Sequence, residues 1–180
     1  CIRDSPYLER LARDTGSTAL LSRVEGSSIT VIDQCVSGAG IRVASEMGSH
    51  VSLYATSQGK LLLASLSDSA VHRLIPEGKL QAFTPHTLTD LPALLADLER
   101  IRTQGYAIEN GEYKIGLRSV SAPVYNREND IAYIVSAVGL FRRVESDEFD
   151  LVIRQTCDDA RALSLQNGGG GCGEKPCLPL

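Results

Sequence analysis

What most limits the fold of this chain is a pattern that occurs twice: two β-type runs joined by a short polar turn. The first pair is "STALLSRV" (17–24) and "SITVIDQCV" (28–36), separated by Glu25-Gly26-Ser27. The second is "GLRSVSAPVY" (116–125) and "IAYIVSAVG" (131–139), separated by the polar stretch Asn126–Asp130. Strand-favouring residues fill the runs and turn formers sit between them, so each pair reads as an antiparallel hairpin. A further strand is expected over "GIRVASEMG" (40–48), and another β-rich section begins at Tyr106–Glu109. The intervening segments have helical spacing, and that decides the class. Antiparallel strands in two groups, with helices between and at the ends, make an α+β domain.

The helices are marked at their ends. Ser5-Pro6 offers a hydroxyl cap and a proline at the first helical position, followed by a stripe of Leu8, Leu11 and Ala12 that stops at Gly16. Thr56 is expected to cap a helix that buries Leu62, Leu63 and Leu66, and a second helix starts at Ser67 and ends near Pro76-Glu77-Gly78. Thr89 is expected to cap the next, with Pro92 in its first turn and Leu91, Leu94, Leu95, Leu98 and Ile101 at helical spacing before Gly105. Glu99, Arg100 and Arg102 read as its solvated face. Ser146 caps the last helix, which carries Phe149, Val152, Ile153, Thr156, Ala160 and Leu163 on one side. At 180 residues one domain is expected. The boundaries read as a linker remnant at 1–5, a folded domain at 6–166 and a disordered glycine-rich tail at 167–180. Because it starts at Cys1 rather than Met, the chain is expected to be a fragment whose N-terminal part is missing.

Several function classes are disfavoured. A formal charge of −4 argues against this chain alone gripping nucleic acid. No apolar run approaches the roughly 20 residues of a membrane span, so no membrane partner is expected. Five cysteines, three of them scattered, do not make a secreted disulfide framework, and a reducing cytoplasm is the simplest compartment. Cys35 and Cys157 read as small buried hydrophobes. Cys172 and Cys177 are two thiols in the tail and do not complete a tetrahedral zinc site. Among His50, His72, His86, Cys35, Glu109 and Glu112 no spacing suggests a nucleophile–base pair, and no two histidines stand at metal-binding helical spacing. The expectation is no enzyme, no metal and no cofactor.

The stretch "ATSQGKLLLA" (55–64) raises the question of what its Gly-Lys pair holds. A phosphate loop needs a glycine five residues before Gly59 and a hydroxyl after the lysine, and those positions are Tyr54 and Leu61. A helix start can still hold a carboxylate on its unpaired amides, here those of Ser57, Gln58 and Gly59. Small side chains at 57 and 59 would admit a ligand, or Gly59 would simply allow close packing. On the second hairpin Leu117, Ser119 and Ser121 share one face, as do Ile134, Ser136 and Val138 on its partner strand. These hydroxyls would line a small, partly polar pocket or bond to backbone.

In order, these pieces resemble the C-terminal effector-binding domain of the IclR family of bacterial transcription regulators. The matching stretches are "IRVASEMGSHVSLYATSQGKLLLASL", "AFTPHTLTDLPALLADLERIRTQGYAIENGEYKIGLRSVSAPVYN" and "IVSAVG", and the resemblance covers roughly 6–166. It implies a GAF-like or PAS-like antiparallel sheet flanked by helices, joined in the family to an N-terminal winged helix-turn-helix that is absent from this chain. It also implies a small organic acid as effector, a homodimer or homotetramer, and operator DNA bound only through that other domain. Carried over by position, Ser57 and Gln58 would meet the carboxylate through backbone amides. Glu109 matches an acidic pocket position, Ser119 a small polar one, Leu117 an apolar wall, Ser136 and Val138 two facing strand positions, and Val43 and Val51 further walls. Val138 stands where serine is common in the family, and Leu140 where proline is. Gln58 is bulkier than the usual small residue and brings its own amide, which implies either a longer or more polar ligand or a narrowed pocket.

Overall fold

The structure is a computed structural model that describes residues 6–37, 47–48, 51–76 and 78–169. The strand expected over 40–48 lies outside the described residues apart from a turn at Met47-Gly48, as do Cys1, Val43, His50 and the tail cysteines Cys172 and Cys177. In chain order the elements are α1 (Pro6–Thr15), β1 (Thr18–Glu25), β2 (Ser28–Val36), α2 (Ser57–Ala64), α3 (Asp68–Leu74), α4 (Leu91–Gln104), β3 (Ala107–Asn110), β4 (Arg118–Tyr125), β5 (Ile131–Gly139) and α5 (Asp147–Gln166).

Both hairpins form. β1 pairs with β2 across a turn in which Gly26 takes a φ of 61°, a left-handed value that glycine adopts without steric cost. β4 pairs with β5, and β5 then pairs with β1, so the two hairpins merge into one antiparallel sheet of order β2-β1-β5-β4-β3. Cross-strand partners share a face, and the register therefore sorts the side chains into two cores. On one face Leu21, Val120, Ala122, Val124, Val135 and Ala137 pack against α1 and α5, which contribute Leu8, Leu11, Phe149, Val152, Ile153 and Leu163. On the other, Ile29, Ala107 and Ile134 pack under α2, α3 and α4 through Leu61, Leu63, Val71, Leu94, Leu98 and Ile101. This is an α+β fold with the sheet in the middle layer.

Three local readings change. Asp90, not Thr89, caps α4: its carboxylate accepts from the Ala93 amide at 3.1 Å, which makes Pro92 the second helical residue rather than the third, as a Thr89 cap would have it. Arg102 is not part of a solvated face. Its guanidinium donates to the carbonyl oxygens of Ala64 (2.9 Å) and Leu66 (3.0 Å) and pairs with Asp68 and Glu99, tying α4 to the C-terminal end of α2 and the turn after it. Cys157 is buried in the α5 core, whereas Cys35 is only half-buried, and burial pushes its thiol above the ordinary value.

The β4 edge beyond β3 is closed off. β3 covers β4 only at Arg118–Ser121. Past it, Pro123 has no N–H to offer, the Tyr125 amide donates to Ser164 Oγ on α5 at 3.0 Å, and Asn167 donates to the Tyr125 carbonyl at 3.4 Å.

Candidate functional site

The site is built around the first turn of α2. Thr56 has extended backbone, and its Oγ1 accepts from the Gly59 amide at 3.1 Å while donating to Ser52 O at 2.7 Å. Lys60 N bonds to Thr56 O at 3.0 Å. The amides that this cap does not serve are those of Ser57 and Gln58. Gly59 is different: its amide is capped, and a Cβ there would lie 2.1 Å from Ser52 O and 2.4 Å from Leu53 Cα. Its missing side chain makes room for the chain's own backbone rather than for a ligand.

Ser57 faces the sheet. Its hydroxyl lies 2.7 Å from both Ser119 Oγ and Ser121 Oγ, and Ser121 Oγ is 2.8 Å from Ser136 Oγ. Ser119 donates to Glu109 Oε2 at 3.3 Å, and Glu109 Oε1 accepts the amides of Glu112 (2.6 Å) and Tyr113 (3.1 Å). Strand register explains the assembly. Glu109, Ser119, Val138 and Thr18 stand opposite one another in one row, and Ala107, Ser121, Ser136 and Leu20 in the next. All four serines are buried, and burial pushes the Glu109 carboxyl above its ordinary 4.5, with nearby Glu112 adding to the rise and the two backbone amides and Ser119 opposing it. Beside this polar row lies a small apolar cluster of Leu20, Val31 and Val138, with Val51 and Leu117 packed on it.

Lys60 answers the question raised by the Gly-Lys pair. It is 1% exposed and donates to Glu112 Oε1 at 2.7 Å and Asp97 Oδ2 at 2.9 Å, so its charge is consumed within the fold. The loop carrying Glu112 is fixed from the other side, where Thr84 Oγ1 donates to Gly111 O at 2.7 Å and Thr87 Oγ1 to Glu112 O at 2.6 Å. Gln58 is 5% exposed, and its Oε1 has no hydrogen-bond partner among the described residues.

Of the residues expected from the sequence, Ser57, Glu109, Ser119 and Ser136 meet in one network, Gln58 adjoins it, and Val51, Leu117 and Val138 join the apolar cluster. Gly59 packs away from it, and Val43 lies outside the described residues. Ser121, placed by strand alternation on the face of Ser119, joins the network as well, whereas nothing in the sequence singled out Leu20 or Val31, nor the Lys60–Asp97–Glu112 group. Lys60 carried a signal, because a lone cation in a helix that ends Leu-Leu-Leu-Ala needs a buried partner. A separate cavity of about 210 Å³ lies near the C-terminal end of α2, lined by Leu61, Ile101, Pro123, Cys157 and Ala160. Both arginines beside it, Arg102 and Arg161, are ion-paired. Among the described residues no group of three His, Cys, Asp or Glu could hold a metal ion, and no helix is long and apolar enough to cross a membrane.

The family model described as "Bacterial transcriptional regulator IclR C-terminal" matches residues 2–165. The chain is 31% identical over 163 residues to the HTH-type transcriptional repressor AllR of Escherichia coli, covering 91% of this chain and 60% of that protein. It is 33% identical over 163 residues to the HTH-type transcriptional regulator BhcR of Paracoccus denitrificans, covering 91% and 58%. The crystal structure of the C-terminal domain of the E. coli transcriptional regulator KdgR superposes with a TM-score of 0.77 at 28% identity, covering 90% of this chain and 94% of that one. The chain thus spans about 60% of the length of the curated relatives it matches, and these relatives are transcriptional regulators rather than enzymes. The family match, the GAF-like sheet and the capped helix over a serine-lined strand pair agree: the chain belongs to the IclR family of bacterial transcriptional regulators, and what it contributes is their C-terminal domain.

Proposed function

We propose that residues 6–166 form an effector-sensing and subunit-pairing unit that binds a small organic acid at the start of α2. The observation that carries this reading is the pair of amides, Ser57 and Gln58, left unserved by the Thr56 cap beside an apolar cluster of Leu20, Val31 and Val138. Two N–H groups at a helix N-terminus suit a carboxylate, and the apolar cluster suits the carbon skeleton attached to it. Val51, Leu117, Ser119, Ser136 and Val138 are the proposed walls, with Glu109 holding the serines in place.

Regulation would follow from linkage. A ligand that binds one arrangement of subunits better than another shifts the population toward it, and operator binding through a helix-turn-helix outside these residues would respond. A homo-oligomer working in the cytoplasm fits the relatives, which are bacterial regulators named HTH-type.

Thermal unfolding of this chain against a panel of small carboxylates tests the reading. At a hundredfold over its dissociation constant a true effector stabilises by about 2.7 kcal/mol, a shift of roughly 5–11 °C for a chain of this size. The shift should vanish in Leu117→Trp, which fills the apolar wall from its half-exposed rim. No shift from any acid class would overturn the reading.

A further inference from the structure

The hydroxyls of the site have a direction. Each serine owns one proton, and an ionised carboxylate only accepts. Ser119 spends its proton on Glu109 Oε2, so the Ser57–Ser119 contact must use the proton of Ser57. The Ser57–Ser121 contact then uses that of Ser121, and the Ser121–Ser136 contact that of Ser136. With Glu109 ionised, only this order, Ser136 to Ser121 to Ser57 to Ser119 to Glu109, satisfies all four contacts at once. Every serine proton is therefore consumed inside the protein, and a ligand reaching these hydroxyls meets lone pairs.

Gln58 points the same way. Successive residues of a helix are turned by about 100°, so with Ser57 on the sheet and Lys60 toward α4, Gln58 projects to the opposite side from α4, toward the β5 side of the sheet. That is where Leu20, Val31 and Val138 form the apolar cluster. Its amide oxygen is buried without a donor among the described residues, a cost that a ligand's donor would relieve. Among the described residues the serine hydroxyls and Gln58 Oε1 offer lone pairs to a ligand, and the donors beside them are the two backbone amides and the NH2 group of Gln58 itself.

We propose that the site selects acids that carry their own N–H or O–H donor a few bonds from the carboxylate, with Gln58 Oε1 receiving that donor. The inference rests on the reading of the α2 start as an acid site and names which acids it takes. An acid bearing only acceptors leaves Gln58 Oε1 unpaired and gains nothing from the serines. Gln58 is then the specificity-determining residue, while the Ser57 and Gln58 amides supply the affinity common to all acids.

Matched probe pairs test it: N-acetylglycine against N-acetyl-N-methylglycine, and 2-hydroxypropanoate against 2-methoxypropanoate. Dissociation constants are measured by titration of thermal unfolding on this chain and on Gln58→Met, with Gln58→Leu as the second variant should the first not fold. The donor-bearing member of at least one pair should bind about tenfold tighter to the wild type, the loss that follows when a buried acceptor stays unpaired. In Gln58→Met the preference should collapse, with the donor-free acid binding no more weakly than before. Donor-free acids binding as well as or better than their partners would overturn the inference while leaving the acid site standing, since Gln58 would then present its NH2 group to the ligand. A preference that persists in both variants would also overturn it, by placing the selection elsewhere. If no member of either pair binds, and none of the wider acid panel does, the acid-site reading itself fails.

Discussion

Lys60 shows how far a single side chain can be from what its sequence neighbours imply. It sits in a helix whose every residue is buried, and its ammonium is shared by Asp97 and Glu112, 37 and 52 positions away. Removing it leaves the buried Glu112 carboxylate without a cation and Asp97 with Arg100 alone, so Lys60→Met should cost about 3–5 kcal/mol, read from the urea midpoint of unfolding. Glu109 predicts a pH response. Burial raises its folded-state pKa above the ordinary 4.5, so the folded chain holds that proton more tightly than the unfolded one. Its contribution to stability is complete below pH 4.5 and is lost as the pH rises through the raised folded value. Asp159, where burial outweighs its pairing with Arg10, slopes in the same direction, so the difference between variant and wild type is the quantity to follow. Glu109→Gln keeps an acceptor for the two amides and carries no titrating proton. It should flatten this part of the curve and exceed wild type in stability at neutral pH, as urea midpoints across the range would show. The Thr56 cap was legible in the sequence because cap and capped amide are three residues apart. The partners of Lys60 were not, because no local pattern links positions that only the fold brings together.

Among the elements, α2 is constrained most tightly. Its Gly59 meets the backbone of Ser52 and Leu53 where a Cβ would stand, and backbone cannot swing aside as a side chain can. Gly59→Ala should therefore cost at least the upper part of the roughly 1–3 kcal/mol typical of overpacking, although alanine is the better helix former. Thr56→Ala, which only deletes the cap, should cost about 1 kcal/mol. Chemical denaturation of the two variants side by side checks the order. Strands and helices were readable from period and punctuation, as in Gly105, whose φ of 83° and bond to Ile101 O end α4 where glycine predicts. The start of α4 was misread by one residue because Thr89 and Asp90 are both good caps and only the Ala93 contact decides between them. The solvated reading of Arg102 failed for a different reason. Helical spacing places it on the outer side, but the carbonyls of Ala64, at the end of α2, and of Leu66, just beyond it, come to rest against it.

In the molecule as a whole, one sheet serves two cores, joined where β5 pairs with β1 across more than a hundred residues of chain. Alternation along the strands had already put Ser119 with Ser121 and Ser136 with Val138, and the β4–β5 hairpin sets them side by side; that Ser57 comes to lie over them is a long-range contact that no local pattern announces. A shared sheet also predicts shared cooperativity. Leu98→Ala on the α4 side and Phe149→Ala on the α5 side should cost about 2–5 and 3–5 kcal/mol and shift the same single transition, seen alike by far-ultraviolet circular dichroism and tyrosine fluorescence. Two separate transitions would mean that the cores unfold independently. The closed edge of β4 has a consequence for assembly. A strand from another chain finds a proline where it needs a donor and α5 where it needs space. Copies of this chain are barred from continuing one another's sheets along that edge, in ordered filaments or in disordered aggregates, and any association must be made by helical or loop surfaces or at another edge.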